Sequence, residues 1–159
     1  MSGTRADVSH AQQWGLLFEQ LGLPRIAGSI WGWLLVSSPP AQSQDQLVAV
    51  LGVAKGSVST NARLLERAGL VDRVVEPGSR SAKYRIRPDA YESLMRDKLE
   101  ATIKWRRLAE AGIQLAKANP SIRTDRLQAL RRFYLFTERE QVAAMKRWRS
   151  LAQRTGGRS

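Results

Sequence analysis

Two short helical patterns joined by a tight turn constrain this chain more than any other feature of its sequence. The first is predicted over 44–51 and opens with a capping box, in which the Ser43 hydroxyl accepts from the Gln46 backbone N–H while the Gln46 amide reaches back. Gly52 suits the left-handed position that ends a helix. A second helix is predicted over 55–68, so the chain must turn sharply between the two, as in a helix-turn-helix.

The second helix has two dissimilar faces. Val58, Ala62 and Leu65 recur at the spacing of one buried stripe. The other positions mix short polar side chains with long cations, which suits a DNA major groove, because hydroxyls and amides meet base edges while Arg and Lys reach guanine or phosphate. An amphipathic helix with a solvated face is the alternative. The candidate DNA-contacting residues of this segment are Ser43, Gln44, Lys55, Gly56, Ser57, Ser59, Thr60, Asn61, Arg63 and Arg67.

A basic hairpin is predicted directly after the second helix, with arms at 71–76 and 83–87 and the turn residues Pro77-Gly78-Ser79 between them. Tyr84 and Ile86 alternate with cations in the second arm, so one face should pack on the helices while the other carries positive charge. An arginine at the tip can enter the narrow minor groove, although a solvated surface arginine is the alternative. The candidate DNA-contacting residues here are Lys83, Arg85 and the tip residue Arg80, with Arg87 on the same charged face.

The flanks of this segment are predicted to be helical, over 9–21, 24–37, 89–118 and 122–153. Gly28 and Gly32 lie four residues apart and leave one helix face smooth enough for close approach of another helix. The third of these helices is about 40 Å long, more than a compact winged domain needs for its own core. Such helices are expected to pack against the same helices of a second copy. A two-fold dimer would place its two DNA-contacting helices about 34–36 Å apart, one turn of DNA.

The predicted fold is therefore mainly α, an α+β winged helix-turn-helix whose long terminal helices form a dimerisation domain. The predicted boundaries are 1–22 for an N-terminal dimerisation helix, 23–88 for the winged DNA-binding domain and 89–159 for a C-terminal helical dimerisation region. A chain of 159 residues with 43% hydrophobic content can bury a real core of this kind.

The charge of the chain predicts a polyanionic partner. The formal net charge is +12, and the last segment, 121–159, holds ten cations against three anions. Nucleic acid is favoured over a membrane, because no lipid anchor or basic amphipathic surface helix stands out. The longest apolar run, 26–36, is also much shorter than the roughly 20 residues of a membrane span.

Several other functional classes are disfavoured. The chain has no cysteine, so disulfides and thiolate metal sites are ruled out, and neither a metal nor a cofactor is expected. The one histidine, His10, has no nucleophile and base arranged around it, and the carboxylates are scattered beside cations, so an enzyme is not expected. No apolar signal core opens the chain, which predicts a soluble intracellular protein.

Three runs of the sequence resemble the MarR-type winged-helix repressors, specifically their GbsR-like branch: GLPRIAGSIWGWLL at 22–35, KGSVSTNARLLERAGLV at 55–71 and KYRIRPDA at 83–90. The resemblance covers nearly the whole chain. It implies a homodimeric bacterial transcription regulator, cytoplasmic and nucleoid-associated, that binds palindromic operators in double-stranded DNA. It places Lys55, Ser57, Ser59, Thr60 and Arg63 on the recognition helix and Arg80 on the wing. Ala54 stands where the branch often has a capping serine, so the recognition helix starts without a side-chain oxygen.

The resemblance also implies a small-molecule effector that releases DNA, since the branch includes choline-responsive proteins. Aromatic clusters can hold a quaternary ammonium by cation–π attraction, and the chain has five tryptophans. The candidate ligand-binding residues are Trp31, Trp33, Phe133 and Tyr134, with core packing as the alternative for all four. The predicted function is a DNA-binding repressor. The alternative is an architectural winged-helix protein that binds DNA or RNA without sequence preference.

Overall fold

The computed structural model describes residues 5–75, 77–78 and 81–156, and the chain forms two compact units, the first ending at Ser93 and the second beginning at Leu94. Within the described residues the elements are α1 (Arg5–Gln20), α2 (Arg25–Val36), β1 (Gln42–Ser43), α3 (Gln44–Leu51), α4 (Lys55–Arg67), β2 (Val71–Val75), β3 (Ala82–Ile86), α5 (Ala90–Ala118) and α6 (Asp125–Gly156). The predicted fold class, a mainly α winged helix with one small sheet, is confirmed.

The helix boundaries lie within a few residues of the predicted ones, and α6 begins three residues later than predicted. Asn119 turns the chain before it, because its Oδ1 accepts from the backbone N–H and the hydroxyl of Ser121 at 3.1 and 2.6 Å. Thr124 then opens the helix, since its carbonyl accepts from the Gln128 backbone N–H at 2.8 Å. Local side-chain bonds of this kind compete with helix formation and delay the start of α6.

A third strand joins the predicted hairpin. The sheet is antiparallel, with β3 between β1 and β2. Gln42 of β1 lies opposite Tyr84, and its buried side chain accepts from the Trp33 indole N–H at 3.4 Å and donates to the Pro39 carbonyl at 2.6 Å. The strand was not predicted, because two residues are too few to show an alternating pattern.

The core of the first unit lies where α2, α3 and α4 meet the sheet. Its most completely buried large side chains are Ile30, Leu47, Leu65, Val58 and Val71. The stripe predicted along α4 is confirmed, since Val58, Ala62 and Leu65 are all buried. Gly69 ends this helix in the left-handed region, with φ 68°. The Leu70 backbone N–H then donates to the Leu65 carbonyl at 3.0 Å. This packing fixes which face of α4 is left outward.

Helix α1 packs on α2 through the two glycines that the sequence singled out. A Cβ built on Gly28 would lie 2.5 Å from the Trp14 carbonyl oxygen and 2.7 Å from Cγ of Phe18. A Cβ built on Gly32 would lie 2.5 Å from Cδ1 of Trp14. These separations are far inside van der Waals contact, so only glycine lets the helices come this close. The predicted close approach is confirmed.

An ion-pair network links α5 and α6 in the second unit. The Arg106 guanidinium donates to Glu138 at 2.6 Å across the helices and to Glu110 at 2.9 Å along α5, and Arg131 donates to Glu110 at 3.1 Å. The hydrogen bond from Arg106 lowers the pKa of Glu110 below its usual value, against an opposing effect of burial, and Arg131 lowers it further. The network therefore favours the ionised form of Glu110.

Large apolar side chains of the second unit stay exposed in the single chain: Leu94, Trp105, Leu108, Leu115, Leu130, Phe133, Phe136, Val142, Trp148 and Leu151. Leu108 and Phe136 are 69% and 64% exposed, far more than aliphatic and aromatic side chains that fill a core. We call this set the apolar surface of the second unit. Among the described residues, no helix has the length and the apolar content needed to cross a membrane.

Candidate nucleic-acid interface

The helix-turn-helix begins with the predicted capping box. The Ser43 hydroxyl accepts from the Gln46 backbone N–H at 3.2 Å, and the Gln46 side chain accepts from the Ser43 backbone N–H at 2.7 Å. Gly52 ends α3 in the left-handed conformation, with φ 65°. The chain turns through the next two residues into α4, so both helix ends are built as the sequence predicted.

The starts of α3 and α4 lie side by side. The Gln44 side-chain amide donates to the Lys55 carbonyl at 2.8 Å, and the Lys55 ammonium donates to the Asp45 carboxylate at 2.8 Å. Gln44 and Lys55 were both predicted site residues, and the structure brings them together. Asp45 was not predicted, because a single acid in the first turn of a helix is ordinarily explained by the helix dipole.

The outward face of α4 carries the predicted polar residues. Lys55, Gly56, Thr60, Arg63 and Arg67 are exposed, and Ser57, Ser59 and Asn61 are half-buried. The Arg63 guanidinium donates to the Ser59 carbonyl at 3.2 Å and to its hydroxyl at 2.9 Å, and the Asn61 amide donates to the Ser57 carbonyl at 2.8 Å. These bonds hold the Asn61 and Arg63 side chains against their own helix, on opposite sides of the exposed Thr60 and Arg67. Hydroxyl, amide and guanidinium groups are thus distributed across the outward half of α4, a chemical mixture suited to base edges.

Helix α4 begins without a side-chain cap, as predicted. Ala54 occupies the N-cap in an extended conformation, and no side chain bonds to the free N–H groups there. The first turn of α4 also contains no acidic residue. The positive end of the helix is therefore left without a negative side chain of its own, an arrangement that favours an approaching phosphate.

The cations predicted on one face of the wing differ in their exposure and in their partners. Tyr84 is buried and Arg85 is exposed, as the alternation requires, and Arg85 lies 3.7 Å from Asp72. Arg87, however, donates two bonds of 2.8 Å to Asp89, and these hydrogen bonds raise the pKa of its guanidinium. Arg87 was predicted on the charged face of the wing, and the structure pairs its guanidinium with Asp89, while contact of Arg87 with DNA stays a prediction.

Two other predicted wing residues have different outcomes. Lys83 lies in β3, opposite Ser43 in β1 and Val74 in β2, and its side chain is half-buried. Its role in binding DNA stays a prediction. Arg80, the predicted minor-groove residue, lies outside the described residues. Together, α4, the start of α3 and β3 supply the described part of the candidate interface.

Two of the four candidate ligand-binding residues lie in the core of the first unit. Trp31 is 5% exposed and meets the ring of Tyr91 edge-on, with centroids 6.5 Å apart. Trp33 is also buried and donates its indole N–H to Gln42. Both tryptophans thus have packing roles, and ligand binding by either stays a prediction.

The other two candidate ligand-binding residues lie in the second unit. Tyr134 stacks on Trp105 with the rings nearly parallel and their centroids 5.9 Å apart, and Phe133 meets Tyr134 edge-on at 5.2 Å. Phe133 is mostly exposed and Tyr134 is half-buried. The cluster could take part in an interface or hold a ligand, and a ligand-binding role stays a prediction.

Comparison with known proteins assigns the class. A family model described as "MarR family" matches residues 21–80, and one described as "MmpR5-like MarR family transcriptional regulator" matches residues 89–152. The chain is 34% identical over 155 residues to the HTH-type transcriptional regulator MmpR5 of Mycobacterium tuberculosis (strain ATCC 25618 / H37Rv), covering 97% of this chain and 92% of that protein. It also matches a crystal structure of a transcriptional regulator at 32% identity and a TM-score of 0.78, over 91% of this chain and 99% of the other.

The chain belongs to the MarR family of winged-helix transcriptional regulators. This confirms the family resemblance seen in the sequence, and it confirms that the chain is a regulator rather than an enzyme. The MmpR5-like model matches the part of the chain that follows the wing, which contains all of α5 and most of α6.

Proposed function

We propose that this protein is a transcriptional repressor that binds a palindromic operator in double-stranded DNA as a homodimer. The observation that carries the proposal is the outward face of α4, where Thr60, Arg63 and Arg67 are exposed and polar while the opposite face is buried in the core. A helix of this kind, held by a capped partner helix and flanked by a basic strand, fits a major groove.

The homodimer is supported by the apolar surface of the second unit. Exposure of side chains such as Leu108 and Phe136 to water is unfavourable by about 25 cal/mol per Å² of apolar surface. Exposed apolar patches of this extent on a regulator fit an interface between copies. Size-exclusion chromatography with light scattering should give twice the chain mass, and Phe136→Ser should shift the equilibrium toward the monomer. Ala129→Ser, an exposed change on the same helix, is the matched control.

Sequence preference separates the proposed repressor from the architectural alternative. An operator is first identified by selecting the fragments of the source genome that bind to the protein. The affinity of the protein for this operator is then compared with its affinity for a shuffled duplex of equal length. We expect at least about a thousandfold preference at physiological salt. A duplex with only one half-site should bind far more weakly than the palindrome. Equal affinity for operator and shuffled duplex would instead support the architectural protein.

Three finer assignments belong to the same proposal. The GbsR-like branch stays a prediction, as do action at the nucleoid in the bacterial cytoplasm and release of DNA by an effector. Choline is the probe for the effector, because an aromatic cluster recognises a quaternary ammonium through its ring faces. We expect choline to weaken operator binding and to change tryptophan fluorescence. Ethanolamine at the same ionic strength is the control, because it has a primary ammonium in place of the trimethylammonium of choline.

A further inference from the structure

We propose that Asp45 holds the Lys55 ammonium and competes with DNA phosphate for it, which lowers the affinity of the protein for every duplex. The two groups are 2.8 Å apart, and both are well exposed, at 79% and 66% of their side chains. They lie at the adjoining starts of α3 and α4, where Gln44 also holds the Lys55 carbonyl. The inference rests on the proposed DNA-binding role of this surface.

The competition follows from the charges. Lys55 is the first residue of α4, so its ammonium lies beside the uncapped, positive end of that helix. A phosphate drawn to this point would take the ammonium as a partner, but the Asp45 carboxylate already occupies it. A phosphate that binds this ammonium therefore shares it with Asp45 or displaces that carboxylate, and in both cases two anions come close together.

The consequence is a lower affinity for DNA of any sequence. Phosphates are present in every duplex, so a carboxylate that competes with them weakens binding to all sequences alike. Base contacts made by other residues of α4 are unaffected. Asp45 thus lowers the affinity for operator and non-specific duplexes by the same factor and leaves the ratio of the two affinities unchanged.

The test compares Asp45→Asn with a matched control, Asp125→Asn. Asp125 also lies in the first turn of a helix, is exposed and pairs with Arg123 at 3.3 Å, but it belongs to α6. Both variants lose one negative charge near a helix start, so both share any effect of net charge or helix dipole. Affinity is measured for the operator and for the shuffled duplex over a range of salt concentrations, after circular dichroism has confirmed folding.

We expect Asp45→Asn to tighten binding to both duplexes by about two- to fivefold, the range that an exposed ion pair supports. The salt dependence should steepen by up to about one, because Lys55 then releases a counterion on binding. Asp125→Asn should leave both quantities nearly unchanged. In a Lys55→Gln background, Asp45→Asn should have little effect, because the cation through which it acts is gone.

Three results would overturn the inference: no more tightening in Asp45→Asn than in Asp125→Asn, tightening on the operator alone, or equal tightening in the Lys55→Gln background. The proposed function fails by a different measurement. The proposed function is judged by the ratio of the operator affinity to the shuffled-duplex affinity in the unaltered chain. The role of Asp45 is judged by the change in affinity for the same duplex between variants.

Discussion

Replacing Gly28 by alanine should destabilise the protein, even though alanine is the better helix former. The added methyl carbon would lie 2.5 Å from the Trp14 carbonyl oxygen and 2.7 and 2.8 Å from two carbons of Phe18. Carbon atoms prefer about 3.5–4.0 Å between them, so α1 must move by about 1 Å. The obstruction includes backbone, which cannot swing aside as the end of a long side chain can.

The magnitude follows from two opposing effects. Overpacking a tight core position costs about 1–3 kcal/mol, and the backbone neighbour puts Gly28 at the upper end of that range. Alanine returns about 1 kcal/mol through its helix propensity. We therefore expect a net loss of about 2 kcal/mol in the free energy of unfolding. For a chain of this size that corresponds to a fall of about 4–8 °C in Tm.

Gly56→Ala is the matched control, because Gly56 is also helical and has nothing within 4 Å of the position of a Cβ. It should raise the free energy of unfolding by up to about 1 kcal/mol. Urea denaturation followed by far-ultraviolet circular dichroism at one fixed protein concentration measures both variants, since assembly makes stability concentration-dependent. If Gly28→Ala is as stable as Gly56→Ala, the close approach of α1 and α2 does not have the energetic role assigned to it.

Four further predictions concern the candidate nucleic-acid interface and the second unit. Ala54→Ser supplies the missing cap and should raise the free energy of unfolding by about 1 kcal/mol, measured by urea denaturation; an unchanged value would mean the α4 start is already satisfied. Arg63→Ala should relax base preference in competition binding to single-base operator variants, and an unaltered preference would remove Arg63 from base reading. Lys83→Ala should instead weaken all duplexes alike and flatten the salt slope by about one, which salt titration of both duplexes checks. The lowered pKa of Glu110 contributes stability that is present above the usual pKa of 4.5 and is lost as pH falls through the lower, folded value. Glu110→Gln should therefore lose less stability than the unaltered chain between pH 5 and acidic denaturation, and parallel pH profiles would contradict the network's role.

Local signals in the sequence were sufficient to predict the structure of the helix-turn-helix. The capping box at Ser43 and the left-handed glycine at 52 each act within a few residues, and the stripe on α4 repeats at a helical period. All are confirmed because their physics is local. The DNA-contacting roles themselves stay predictions, since they depend on a partner molecule.

Features that depend on distant residues were missed. The strand at Gln42 exists only because β3, some forty residues later, supplies the partner backbone and because Trp33 holds its side chain. The pairing of Arg87 with Asp89 was missed for a different reason, because these residues are only two apart and the pairing depends on a rotamer choice that spacing alone does not reveal. Asp45 was passed over because its partner Lys55 is ten residues away across a turn. Pairing across a turn is not visible in a periodic pattern.

Ser43 belongs to two structures at once. Its backbone is paired with Lys83 of the wing strand, and its hydroxyl caps α3. A rotation of the wing on DNA would therefore pull on the first turn of α3, and through Gln44 on the start of α4, without any intervening loop to absorb the movement. The wing strand and the start of α4 are therefore connected through Ser43 and Gln44, so under the proposed function a DNA contact made by the wing would shift the position of α4.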